Sequence, residues 1–103
     1  MELQTTTKYF NMKQEVGKYY WININSEGSI FYVETIENDG VSFGYYISLS
    51  GNCLSHCRIC NPKDFEKYSG REATQEEKNH LDACIQKGEF VKMPQIVNTY
   101  SIF

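Results

Sequence analysis

Apolar and polar positions alternate along much of the first sixty residues. Between Lys18 and Asn25, Tyr20, Ile22 and Ile24 share one face, the period of a strand. Ser29 to Glu37 is apolar on both faces around Phe31, Tyr32 and Val33, which predicts a central strand. Val41, Phe43, Tyr45, Ile47 and Leu49 then alternate with neighbours that include Ser42, Gly44 and Ser48. That pattern predicts a strand with one buried and one largely polar face. Cys53 to Cys60 supplies a fourth strand, with Cys53, Cys57 and Ile59 on one side and Cys60 on the other. Pro62 stops it, because proline has no N–H for a central ladder.

The punctuation between these runs predicts a meander. Gly28 closes an Asn25-Ser-Glu-Gly turn, where a residue without Cβ adopts positive φ freely. Asp39-Gly40 is a favoured dipeptide of the type I′ hairpin. Ser50-Gly-Asn52 turns the chain again. Downstream, Thr74-Gln-Glu-Glu77 is a capping box, Leu81, Cys84 and Ile85 form an apolar stripe, and Gly88 sits where a glycine ends a helix. The pattern therefore predicts one domain over residues 1–103. It divides into an N-terminal segment without clean period (1–15), a β-meander (17–60), a helix (74–88) and a tail (89–103). The fold class is α+β: a small, strongly twisted antiparallel meander, curled at the limit into an SH3-like barrel, with one C-terminal helix.

Composition agrees with a β-rich body. The chain is 15% aromatic, with eight tyrosines and six phenylalanines, residue types that suit a pleated, half-buried surface. The net charge is −3. Lys and Arg are spread along the chain rather than gathered into a stripe, and phosphate neutralisation dominates nucleic-acid affinity, so nucleic acid is not an expected partner. The first residues show no apolar run of signal-peptide type, and no run is long enough to span a membrane. The expected location is the cytoplasm, where cysteines are thiols or metal ligands rather than disulfides.

Cys53-Leu-Ser-His-Cys57-Arg-Ile-Cys60 concentrates three of the four cysteines. Its C-x3-C-x2-C spacing resembles the radical-SAM signature. Ile59 stands where that family usually has an aromatic residue, however, and the 43 residues after Cys60 are too few for its barrel. Cys57-Arg-Ile-Cys60-Asn61 resembles a zinc knuckle. With His80 and Cys84, four apart on the helix, it offers a tetrahedral zinc set: Cys57, Cys60, His80 and Cys84. Against zinc, cysteine is often buried simply as a small hydrophobe, and Cys84 belongs to the helix's own apolar stripe. A strand also points Cys57 and Cys60 apart, and it separates His56 from Cys57, which weakens any Cys–His nucleophile. The expectation is packed thiols with no catalytic residue and no cofactor, zinc being the alternative.

Arg71 to Val91 resembles the ending of small uncharacterised β-rich proteins of gut bacteria and their phages. Gly17-Lys-Tyr-Tyr20 and Ala73-Thr-Gln-Glu-Glu77 carry the resemblance. It implies no activity, and it implies that His80 and Cys84 occur without the strand cysteines. The functional expectation is a non-enzymatic protein-interaction module, an accessory of a phage or mobile element. Its anchors are Tyr19, Trp21 and Tyr46, which fall on the second faces of their strands. The alternative is a zinc-stabilised binding module. The free edges of a meander and the Ile96–Phe103 tail also suggest a homodimer.

Overall fold

A computed structural model describes residues 13–24 and 27–92. Five strands form one antiparallel sheet: β1 (Tyr19–Ile22), β2 (Ser29–Ile36), β3 (Ser42–Ser48), β4 (Cys53–Arg58) and β5 (Arg71–Glu72). Helix α1 (Pro62–Lys67) lies between β4 and β5 along the chain, and α2 (Gln75–Lys87) follows β5. The spatial order is β4-β3-β2-β1-β5. The first four strands are the meander that the alternation predicts. After β4 the chain crosses one face of the sheet through α1, and β5 pairs with β1 on the far side. Among the described residues the sheet is open, with β4 and β5 as its edges, so the barrel closure suggested by the sequence is not adopted.

Period-two alternation gives the sheet two cores. Tyr20, Ile22, Phe31 and Val33 face α1 and pack with Cys60 and Phe65. Phe65 stands edge-on at 5.3 Å from Tyr20 and 6.5 Å from Phe31. On the opposite face Ile30 and Ile47 pack with Ala73, Leu81 and Cys84 beneath α2. The central β2 feeds both cores, as its doubly apolar sequence requires. α2 carries the full capping box, with Thr74 Oγ1 accepting from Glu77 N and Glu77 accepting from Thr74 N.

Three details depart from the sequence reading. The β2–β3 connection is a three-residue loop rather than a type I′ turn. Gly40 N donates to Glu37 O, and Glu37 N donates to Val41 O. Only Gly40 takes positive φ there, while the Asp39 carboxylate holds Val41 N. Next, the "polar" face of β3 is not solvated, since Ser42 is fully buried. Its backbone and hydroxyl meet Ile59 and Cys60. Ile59 N donates to Ser42 O and Ser42 N donates to Cys60 O, so two residues oppose one in a bulge. This bulge turns both Ile59 and Cys60 towards the first core. Finally, Cys53 is exposed and Cys57 half-buried, because β4 is an edge strand.

Candidate functional site

The face of the sheet that carries α2 is built in lateral rows. Strand registers pair Trp21 with Ile30, Ile30 with Ile47, and Ile47 with Leu54. α2 sits over this row and buries Ile30 and Ile47. Two residues further along each strand lies a second row, Tyr19–Tyr32–Tyr45–His56, one residue from each of four consecutive strands. Its rings are half-buried or exposed rather than covered. Tyr19 and Tyr32 lie 4.9 Å apart between ring centroids, and His56 stacks on Tyr45 at 4.4 Å. Phe43 meets the edge of His56 at 4.8 Å. At the usual strand spacing of roughly 4.8 Å the row spans about 14 Å.

Charged groups border this aromatic strip. On the α2 side, Tyr19 donates its hydroxyl hydrogen bond to Asp82, and the Lys78 ammonium lies 6.0 Å from the Tyr19 ring. On the far side Glu34 reaches across β3 to His56 at 2.7 Å. Arg58 bridges Glu37 at 3.2 Å and Asp39 at 2.7 Å. The border is predominantly acidic. Burial, reinforced by the bond to Asp82, pushes the Tyr19 hydroxyl up to about 12, so it stays a donor at neutral pH. Among the described residues the hydroxyls of Tyr32 and Tyr45 meet no partner.

The three aromatic residues singled out from sequence do not share a surface. Tyr19 belongs to the strip. Trp21 is built into the fold, with Gly28 against one side of its ring and the Arg71 guanidinium 4.3 Å from its centroid. Tyr46 points to the opposite face and accepts from Ser29 Oγ at 2.9 Å. Sequence reasoning missed Tyr32, Tyr45 and His56. Their common feature is register, which becomes visible only once the strands are paired.

The zinc quartet is not assembled either. Cys60 packs in the core under α1, whereas Cys84 lies in the core under α2, so the sheet stands between them. His80 and Cys84 do face one way, onto the backbone of Val91. His80 Nε2 donates to Val91 O, and Val91 N donates to Cys84 Sγ at 3.3 Å. Their shared job is to fold the chain after α2 back along the helix. Among the described residues no three His, Cys, Asp or Glu side chains gather as a metal-holding group. Burial, then the charge of Asp64, pushes the Cys60 thiol up to about 11, and burial also raises Cys57 and Cys84. These shifts run away from a reactive thiolate.

Comparison with known proteins finds no family model, no curated protein and no solved structure that matches the chain. Among the described residues, no helix is long and apolar enough to cross a membrane.

Proposed function

We propose that the protein is a non-enzymatic binding module that docks a partner protein across the strip Tyr19–Tyr32–Tyr45–His56. One observation carries this reading: four aromatic side chains lie in lateral register beside a helix that covers the next row and leaves theirs partly open. Tyrosine suits such a surface, since it offers a large rigid ring and a hydroxyl at low entropic cost. The acidic border of Glu34, Glu37, Asp39 and Asp82 favours a partner segment carrying Lys or Arg.

The experiment is a two-step capture. A partner retained by the wild type is identified, purified and titrated against wild type, Tyr45→Ala and Tyr46→Ala. Tyr45→Ala should weaken binding at least tenfold, the loss expected of an aromatic anchor. Tyr46→Ala, on the other face, should leave it within about twofold. Equal binding by wild type and Tyr45→Ala defeats the proposal.

A further inference from the structure

On the opposite side of the molecule a cavity of about 720 Å³ opens between α1, the β2–β3 hairpin and the chain entering β1. Ligand cavities run from about 300 to 1,000 Å³. Its apolar surface is formed by Ile36, Pro62 and Phe65. Phe65 turns its other side to the core and is only 3% exposed, whereas Ile36 is 38% exposed, one of two large apolar side chains left open among the described residues. Among the described residues the fold therefore leaves the Ile36 part of this wall uncovered, where covering it would be favourable, while Phe65 adds little accessible surface. Two cations, Lys13 and Lys63, stand at the cavity with one carboxylate, Glu66. Neither lysine makes an ion pair with another described residue.

From this combination we infer that the cavity binds a small organic acid, with a planar apolar body against Ile36, Pro62 and Phe65 and an anionic end between Lys13 and Lys63. An apolar wall supplies affinity without direction, and a few placed charges set the orientation. A neutral apolar ligand would leave both ammonium groups unused. A purely ionic ligand would leave the apolar wall wet. A dication would meet two like charges. The inference is independent of the aromatic strip, which lies on the other face of the sheet.

The probe is 1-anilinonaphthalene-8-sulfonate, a planar aromatic body with one anionic end, titrated into the full folded chain. Its sulfonate-free analogue, N-phenyl-1-naphthylamine, serves as control. We expect a saturable fluorescence rise at one equivalent. Ile36→Glu, at an exposed position and checked by thermal unfolding, should weaken dye binding at least tenfold. The double variant Lys13→Gln/Lys63→Gln should weaken it about fivefold, the scale of two rim ion pairs, and leave the neutral analogue unchanged. Four results overturn the inference. The first is no saturable binding. The second is full binding by a folded Ile36→Glu. The third is a loss in Tyr45→Ala, which would place the dye on the strip. The fourth is tighter binding in Phe10→Asp, which would make the chain's own N-terminal segment the occupant.

Discussion

The Arg71 guanidinium lies 4.3 Å from the Trp21 ring centroid while both its terminal nitrogens reach the Glu77 carboxylate at 2.9 Å. One side chain thus joins the edge strand β5, the ring on β1 and the first turn of α2. A bidentate guanidinium is held rigidly enough to act as a lid on the indole. Gly28 packs against the indole too, since a Cβ there would fall 2.5 Å from Trp21 Nε1. Gly28 also has φ of 89°, a conformation other residues adopt at a cost. Gly28→Ala is therefore expected to destabilise by about 2–4 kcal/mol, combining overpacking with backbone strain. Trp21→Ala should cost about 2–4 kcal/mol, below the top of the range for buried aromatics because Trp21 is only half-buried. Urea unfolding of the two variants measures both. An unchanged midpoint for Trp21→Ala would return Trp21 to the role of a surface anchor.

A second glycine is required by close approach alone. A Cβ on Gly44 would lie 1.9 Å from the carbonyl oxygen of Tyr32. That atom belongs to the neighbouring strand and cannot rotate away as a side-chain tip would. Gly44→Ala should cost about 3 kcal/mol or more, beyond ordinary overpacking. It should also disturb the Tyr32–Tyr45 pairing one position away. A variant with wild-type unfolding free energy would show that β2 and β3 are not held this closely.

The same neighbourhood explains why the strip could not be read from sequence. The pairing next to the hairpin loop sets Ile36 against Ser42 and Thr35 against Phe43. Carried along unchanged, it would set Tyr32 against Tyr46. The shift between Val33 and Thr35 moves the register by one, and Tyr32 meets Tyr45 instead. A one-residue slip exchanges the two faces of a strand, so no alternation count predicts the row. The four meander strands and α2 were legible because each carries several periodic positions or a capping pair. α1 was not. In six residues it buries only Phe65, which leaves no period to detect. Its signals were local: Asn61 Oδ1 accepts from Asp64 N, with Pro62 opening the helix. From the sequence alone Pro62 reads only as the end of a strand. With α1 unseen, the crossing that brings β5 beside β1 was unseen too.

Tyr19 makes the strip's edge sensitive to alkaline pH. In the unfolded chain a tyrosine loses its proton near pH 10, whereas burial and the bond to Asp82 hold Tyr19 to about 12. The unfolded state therefore releases its proton first. Its contribution to stability is intact below pH 10 and declines as pH rises towards 12. The difference in ultraviolet absorbance between wild type and Tyr19→Phe should show a single transition near pH 12. In Asp82→Asn that transition should move down, since the carboxylate's charge is removed. A transition near pH 10 in that difference would mean that Tyr19 is neither buried nor bonded to Asp82 as described.

The cysteines offer a test of the fold and of the metal reading together. Cys53 is exposed, Cys57 half-buried, and Cys60 and Cys84 buried. Alkylation of the native protein at neutral pH should label Cys53 first and Cys57 more slowly. Cys60 should resist, because its thiol is both covered and held protonated, its pKa pushed up to about 11. Cys84 should resist too, since Val91 N donates to its sulfur and closes the chain over it. A zinc site would give a different pattern, protecting Cys57 along with Cys60 and Cys84 until a chelator freed all three, and chelation would lower the melting temperature. The packing described above expects the chelator to change neither the labelling order nor the unfolding midpoint. The sharpest readout is Cys57. If it is protected without chelator and exposed with it, its thiolate holds a metal. If it labels at the same intermediate rate in both, it is a half-covered side chain on an edge strand.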